Sequence, residues 1–596
     1  MAWYDEAVFY HIYPLGLAGA PKQNDYGEPV HRLNTLLPWV DHIKEIGGSA
    51  LYIGPLFESV GHGYETTDYK KLDSRLGTNE DLTAFVAYCH EQGIKVIFDG
   101  VFNHTGRDFF AFKDIQANRE NSQYKDWYCN VNFWGNNEYN DGFSYDNWGG
   151  YNLLVKLNQN NPAVVDYICD VIRFWVSEFD VDGIRLDAAD VLDFDFMKAL
   201  RRTANEVKPD FWLMGEVIHG DYSRWVNGET LHSVTNYTLH KALYSGHNDH
   251  NYFEIAHTVR RLQNMGTLKL YNFVDNHDVE RIYTKLTNKA HFAPVHVLLY
   301  TLPGVPSIYY GSEFGIEGRK EYGSDDSLRP ALNIEDYKDS VKTNPCTALI
   351  AALGKVRQAV PALSYGSYDE LMLTNRQFAY ARDLDGTRVI VSVNNDDAPA
   401  GMHLAAGNCT AYIGALSGEK VSVQDGHINI TQPANSGEIW VPEGTDLDVK
   451  PVKVVTKTDS EAKTNTEDKA ASETATDAKG NKEAEPKIES KGIVTATESA
   501  DAKKNTTDIE KNTTAANEVK DSAKDASAQA AADTPVDPET ITVDWSKSPE
   551  SMTVPELQAA ILAKLAGNGP VDAQMKKTVV DNIWHDSLVN WLKSFR

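Results

Sequence analysis

Four short segments carry the residues best able to do chemistry: Asp99-Gly-Val-Phe-Asn-His104, Gly183-Ile-Arg-Leu-Asp187, Gly215-Glu216-Val217 and Phe273-Val-Asp-Asn-His-Asp278. Each reads as the end of an apolar, β-rich run that delivers polar side chains from a strand terminus. Together they hold acids, histidines and an arginine. Hydrolysis of an acetal needs a carboxylate on one face of the sugar and a proton donor on the other, and this set can supply both. Asp187 lies two residues beyond Arg185, so strand alternation puts both side chains on one face. The guanidinium is then placed to keep Asp187 ionised and oriented, as a nucleophile requires. Glu216 follows the apolar run Phe211-Trp-Leu-Met. An acid rising from apolar surroundings has a raised pKa, which suits a general acid/base. Asp278, beside His277, is placed to hold sugar hydroxyls next to the reacting carbon. A lone aspartate after a strand is commonly a turn former or helix cap, and a lone histidine commonly a packing residue. Recurrence at successive strand ends is what singles these out.

Elements must position such residues. Candidate strands at 7–13, 50–53, 96–98, 183–186, 212–214, 234–236, 270–274 and 307–310 alternate with amphipathic patterns such as 79–92, 164–178 and 195–207. Strand–helix alternation implies parallel strands, and eight repeats predict an α/β fold, a closed (β/α)8 TIM barrel, over residues 1–366. Chemistry in such a barrel sits at the C-terminal strand ends, where all four segments fall. The connection 105–151 is too long for an ordinary βα loop. It is rich in Asn, Trp, Tyr and Gly, with Trp127, Trp134 and Trp148 spaced through it, and reads as an inserted subdomain overhanging the site.

From 367 to 445 the pattern changes to short alternating runs at 378–382, 388–394, 411–413, 421–423, 427–430 and 438–441. Asp385-Gly386 and Asp425-Gly426 between such runs are hairpin signals, so an antiparallel β-sandwich domain is expected. Residues 446–540 are Lys, Asp, Glu, Ala, Thr, Ser and Asn with almost no aromatics. Such a stretch cannot bury enough apolar area to offset its ordering entropy, so a disordered low-complexity linker is expected. A helical tail is expected at 541–596. Thr553-Val-Pro-Glu556 is a capping box that opens an apolar helix ending near Gly567, and a second helix at 571–595 carries Val579, Ile583, Leu588, Trp591 and Leu592. The tail is expected to dock an unidentified protein partner or to self-associate.

The formal net charge of −28, from 57 Lys and Arg against 85 Asp and Glu, argues against nucleic acid and against an anionic membrane surface. No run of about twenty apolar residues suits a membrane span. The five cysteines are scattered without CxxC spacing, which fits reduced thiols better than a disulfide framework or structural zinc. Met1-Ala-Trp-Tyr-Asp-Glu has no basic stretch leading into an apolar core, so the expected location is the cytoplasm. The long Thr/Lys/Ala-rich linker, by contrast, is more familiar on exported multimodular proteins, so export stays open.

Residues 1–445 resemble the α-amylase family, glycoside hydrolase family thirteen, a barrel with an inserted subdomain B and a β domain C; all four segments occur in order at family-like spacing. The resemblance implies Asp187 as nucleophile, Glu216 as general acid/base and Asp278 as transition-state stabiliser. His62-Gly63-Tyr64 is similar to the motif whose tyrosine stacks on the sugar at the cleavage point. His104, Arg185 and His277 match substrate-holding residues, and Asp325 with Arg329 resembles the pair that grips the same sugar from the far side. Leu154-Val-Lys-Leu-Asn158, Tyr124-Lys-Asp-Trp-Tyr128, and Glu216-Val-Ile-His219 followed by Asn236-Tyr237 resemble the neopullulanase, cyclomaltodextrinase and maltogenic amylase group. Asp190-Val191 departs from the Lys-His of typical α-amylases. Asn103 matches a calcium ligand of many α-amylases, but the accompanying acidic ligands are not evident, so no cofactor is expected and calcium rests on Asn103 alone.

The implied activity is retaining hydrolysis of α-glucosidic, mainly α-1,4, bonds in maltodextrins, cyclodextrins or related α-glucans through a covalent glycosyl-enzyme. The two carboxyl groups should then lie about 5–5.5 Å apart. An α-glucanotransferase or isomerase using the same triad stays open as the alternative. Behind it stand an endo-acting starch α-amylase and a non-catalytic scaffold.

Overall fold

Apolar runs rich in β-branched and aromatic residues, buried along nearly their whole length, form eight strands: Phe9–Ile12 (β1), Ala50–Ile53 (β2), Lys95–Gly100 (β3), Gly183–Leu186 (β4), Trp212–Gly215 (β5), Ser233–Val234 (β6), Tyr271–Phe273 (β7) and Val305–Tyr309 (β8). In this computed structural model, which describes residues 2–452 except 267 and 322–323, together with 543, 547–548, 552–567 and 592, all eight pair in parallel. Their order is β6-β5-β4-β3-β2-β1-β8-β7, and a parallel bridge from Thr235 to Tyr271 joins the two ends into a ring. The expected strand at 234–236 begins one residue earlier and stops at Val234. At Asn236 the side chain turns to cap the following helix, accepting from the Leu239 N–H at 3.1 Å, while its own N–H still bonds the Tyr271 carbonyl of β7 at 2.9 Å.

The crossover helices start where their caps dictate. Thr78 and Asp81 form a reciprocal capping box for Asn79–Glu91 (α1). Asn161 accepts from the Ala163 N–H at 2.9 Å, with Pro162 opening Pro162–Phe179 (α2). Asp193 caps Phe194–Val207 (α3), accepting from the N–H groups of Asp195 and Phe196.

The insertion leaves β3 at His104 and returns at Lys156, its register partner, so its small sheet runs past the expected end at 151. That sheet joins His104–Thr105, Tyr151–Lys156 and Asn147–Trp148, beside a helix over Phe110–Asn118. Phe112, Tyr128 and Phe143 are buried among these elements.

Beyond the barrel, Ser367–Leu373 (β9), Gln377–Leu384 (β10), Thr387–Asn394 (β11), Ala400–Ala405 (β12), Ala411–Gly414 (β13), Lys420–Ser422 (β14), His427–Gln432 (β15) and Ser436–Pro442 (β16) form the β domain. Its six-stranded sheet runs β9-β10-β11-β16-β13-β14, and the antiparallel pair β12–β15 covers one face through Ile390, Met402, Leu404, Ile428 and Trp440. The opposite face meets the barrel helix Phe292–Thr301 (α4), where Arg382 donates to the Thr301 carbonyl at 2.5 Å. Asp385-Gly386 and Asp425-Gly426 both have positive φ at each residue, as the expected primed hairpin turns require.

One expectation about the C-terminal third changes. Residues 446–452, expected as linker, lie against the β domain, with the Val452 N–H donating to the Leu416 carbonyl at 2.9 Å and Leu447 and Val449 half-buried. The rest of the expected linker and nearly all of the second tail helix lie outside the described residues. The expected first tail helix is present as Val554–Gly567 (α5), with Thr553 N–H donating to Glu556 at 2.7 Å.

Candidate active site

The site is built in layers on the inward-facing positions of the strands. Phe9, Ala50, Tyr52, Ile97, Trp212, Met214, Tyr271, Phe273 and Val305 fill the barrel as an apolar floor. One step above it, parallel register sets Asp99 of β3 opposite Arg185 of β4, and Arg185 opposite Met214 of β5. Two residues further on, alternation brings Asp187 and Glu216 into the next layer. Asp278 arrives from the turn after β7.

Arg185 is the hub. Its Nη1 donates to both oxygens of Asp99 (2.9 and 3.2 Å) and to Asp187 Oδ1 (2.8 Å), and its Nη2 lies 2.9 Å from Glu216 Oε2. Asp99 Oδ2 also accepts from the hydroxyls of Tyr52 (2.8 Å) and Tyr64 (3.2 Å). Sequence reasoning gave Asp99 no role, although its place at the end of β3 matches that of Asp187 beyond β4.

Ala188, directly after the candidate nucleophile, is held in the left-handed region at φ +47°. For a residue with a Cβ this costs about 1–2 kcal/mol. It turns the Ala188 N–H toward Glu216 Oε2 at 3.2 Å. Glu216 Oε1 accepts from the Tyr237 hydroxyl (3.3 Å), which itself accepts from Asn276 Nδ2 (3.2 Å). The carboxyl of Glu216 therefore meets polar partners, not the apolar pocket expected from residues 211–214. The side chains of Trp212 and Met214 belong to the floor below, and those of Phe211 and Leu213 pack outside the ring.

Charge balance in this cluster also differs from the expectation that Arg185 simply keeps Asp187 ionised. Burial, with Glu216 and Asp99 adding to it, pushes the Asp187 carboxyl well above the usual range despite Arg185. Three carboxylates gather on one guanidinium, so Asp187 gives up its proton less readily than an ordinary carboxyl does.

The opposite wall carries Asp278. Its Oδ2 lies 3.1 Å from His277 Nε2, and its Oδ1 2.9 Å from Arg329 Nη2, which also reaches Asp325 Oδ2 at 3.1 Å. Burial opposes ionisation here, but His277 and Arg329 outweigh it and hold Asp278 well below the usual carboxylate range. Arg329 Nε donates to the His277 carbonyl at 3.0 Å, fixing the wall. Tyr64 closes the cleft floor, with its hydroxyl 2.5 Å from His277 Nε2. Gly63 makes that placement feasible: φ is +100°, and a Cβ there would lie 2.7 Å from Pro55.

The remaining expected residues support Tyr64. His104 is buried with Nε2 3.2 Å from the Tyr64 carbonyl, and burial lowers its pKa to about 3, so it is neutral. His62, half exposed, faces Glu65 at 3.1 Å, and its carbonyl accepts from the Tyr13 hydroxyl. The structure thus brings Asp187, Glu216, Asp278, Arg185, His277, Tyr64, Asp325 and Arg329 to one place, and sets His62 and His104 behind the tyrosine. Tyr52, Tyr237 and Asn276 join the set from positions that no local motif announces.

For calcium, Asn103 Oδ1 is buried with no hydrogen-bond partner, which is one donor of the right kind. Among the described residues no group of three or more His, Cys, Asp or Glu is arranged to hold a metal. The donor set does not fit a calcium site, and no chemical step is routed through one.

Comparison with known proteins places this geometry. The model of the alpha amylase catalytic domain matches residues 31–355. A cyclomaltodextrinase of Bacillus sp is 31% identical over 422 residues, covering 67% of this chain and 74% of the relative. A cyclomaltodextrinase of Thermoanaerobacter pseudethanolicus is 32% identical over 419 residues, covering 66% and 71%. A solved cyclomaltodextrinase structure superposes with a TM-score of 0.66 at 27% identity, covering 74% of this chain and 78% of that one. A barrel whose strand ends bring three acids and an arginine together, with a matching domain over more than half its length, belongs to the alpha-amylase family.

Proposed function

We propose that this chain is a retaining glycoside hydrolase that cleaves α-glucosidic bonds of short or cyclic α-glucans. The observation that carries the reading is Arg185 spanning Asp187 and Glu216 through its two terminal nitrogens. That bridge holds both carboxyls on one guanidinium, at 2.8 and 2.9 Å, which favours the close pairing of a retaining enzyme over the wider one that leaves room for a water. Glu216 gives a proton to the leaving oxygen while Asp187, attacking as the carboxylate beside Arg185, forms the glycosyl-enzyme from the opposite face. Water, deprotonated by Glu216, then releases the product with its configuration retained. Asp278, kept ionised by His277 and Arg329, holds the sugar hydroxyls beside the reacting carbon. Two relatives named cyclomaltodextrinase support cyclodextrins and maltodextrins as the substrates.

A transferase reading has one observation behind it. Val191 and Ile218, four residues after Asp187 and two after Glu216, are exposed apolar side chains at 38% and 39%. Apolar surface next to the cleft favours a sugar acceptor over water.

A product profile tests both readings. The chain, with Asp187→Asn as the blank, is incubated with β-cyclodextrin, maltotriose, pullulan and soluble starch. Fast cleavage of cyclodextrin or maltotriose with slow attack on starch is the expected result. Products longer than the substrate would replace hydrolysis with transfer, rapid starch depolymerisation would make the chain an ordinary α-amylase, and silence on every glucan would overturn the reading.

A further inference from the structure

Trp134, at the tip of the inserted subdomain, is 98% exposed; among the described residues the next most exposed large apolar side chain, Tyr151, is at 68%. The tip is not a loose excursion. The Trp134 N–H donates to Asn132 Oδ1 at 3.0 Å, and Asn132 exchanges two backbone hydrogen bonds with Ser144 at 2.8 and 3.0 Å. A Cβ on Gly135 would lie 2.4 Å from Ser144 Oγ, so the turn is packed against the facing segment. Beneath it, Phe133 meets Phe143 at 5.7 Å, and Arg119 lies 5.5 Å over the Phe133 ring.

Beside the indole opens a cleft of about 640 Å3, lined in part by Glu120, Asn130, Asn132, Ser144 and Asp146. Asn130 Nδ2 donates to Asp146 at 2.8 Å, which holds an amide and a carboxylate in place along the wall. A flat aromatic face on an anchored turn, next to amide, hydroxyl and carboxylate groups, is the chemistry that recognises a pyranose: C–H groups pack on the ring while hydroxyls bond the polar rim. A protein partner would call for a contiguous apolar patch, not one ring in a polar surround. The chain's charge of −28 disfavours anions and is indifferent to a neutral glycan.

We propose that the Trp134 cleft is a second α-glucan site, distinct from the catalytic centre, that holds a chain while another part of it is cut; this rests on the α-glucan reading above. The Lys156 N–H donates to the Asp146 carbonyl at 3.0 Å, and Lys156 is the register partner of His104. One small sheet therefore carries both the cleft and the histidine that backs Tyr64. A glucan held at Trp134 raises the local concentration of its own bonds at Asp187 and Glu216.

The test uses the full chain with Asp187→Asn to stop turnover, titrated calorimetrically with maltoheptaose and run on native gels containing soluble starch. Two binding events are expected, and Trp134→Ala should abolish one and weaken gel retention about tenfold. Trp134→Tyr should recover most of that retention. In the active chain, Trp134→Ala should raise KM for maltoheptaose and leave maltotriose cleavage unchanged. Unaltered retention and stoichiometry in Trp134→Ala would overturn the second site, as would a change of oligomeric state by light scattering, which would assign the indole to a protein contact. An active chain that cleaves no glucan defeats the hydrolase reading instead, and the gel and titration still report on Trp134.

Discussion

Asp99 engages Arg185 through both carboxylate oxygens, at 2.9 and 3.2 Å, and the pair is a direct register partnership between β3 and β4. The side chain of Asp99 is wholly inaccessible and that of Arg185 is 3% exposed. Asp99 therefore sets where the guanidinium stands under Asp187 and Glu216, without itself facing the cleft. Replacing it with Ala leaves a buried arginine short of one partner, at a cost of about 3–5 kcal/mol. The displaced guanidinium should also lower kcat by about 100-fold. Thermal melts and steady-state kinetics on Asp99→Ala check both, with Asp99→Asn expected to recover stability more than rate.

Glu216 is checked through the leaving group. A carboxamide in its place has no proton to give the leaving oxygen. Glu216→Gln should remove most of the rate on poor leaving groups, such as the sugars of maltotriose, and spare activated aryl glucosides. A loss equal for both kinds of substrate would assign the proton donor elsewhere.

Arg329 acts on Asp278 through geometry that lysine cannot copy: Nη2 meets Asp278 and Asp325 while Nε holds the His277 carbonyl. Arg329→Lys should let the Asp278 carboxyl rise toward its ordinary range, because one of the two groups holding it down is displaced. A carboxylate with a depressed pKa is lost only as pH falls through that value, so the substitution should move the acid limb of kcat/KM to higher pH and lower kcat/KM about tenfold. A profile superposable on the parent's would show that His277 suffices.

Acid should weaken the fold at the seam between barrel and β domain. His247, His291 and His296 are fully buried there, and His291 Nε2 lies 3.2 Å from the Asn395 carbonyl. Burial lowers their pKa values to about 3, 4 and 4. Above the unfolded value near 6.5 these rings are neutral in both states and cost nothing. Below it the unfolded chain takes up protons that the folded chain refuses, so stability falls, by about 2 kcal/mol for each ring at pH 5. Melting temperature measured from pH 7 to pH 4.5 should drop steeply, and His296→Gln should flatten part of that slope.

The barrel could be read from the sequence because each strand is an apolar run that stops at an acid or amide, and Asp187, Glu216 and Asp278 mark three of those stops. Asp99 escaped assignment because its role depends on register with Arg185, which no single segment encodes. The surroundings of Glu216 were misjudged for a related reason. Neighbours in sequence along β5 point alternately to the floor and outward, whereas its real partners, Tyr237 and Asn276, come from beyond β6 and β7. In the β domain, β9 was missed because Ser367–Leu373 is an edge strand with no fully buried position, so its pattern carries little apolar signal. The segment 447–452 was hidden by averaging over the charged residues that follow it.

The ring is fastened at one narrow place. β6 contributes two residues, and beyond the Thr235–Tyr271 bridge the closure rests on Asn236, which donates its N–H to the Tyr271 carbonyl (2.9 Å) and its side-chain amide to Asn272 (2.8 Å). Such a clasp is where a barrel yields first when it breathes, so amides there should exchange ahead of those in β2 or β3. The next residue along is Tyr237, whose hydroxyl rests on Glu216. Mechanical compliance of the scaffold is thus wired to the acid itself: each loosening of the clasp withdraws a hydrogen bond from the group that must deliver the proton.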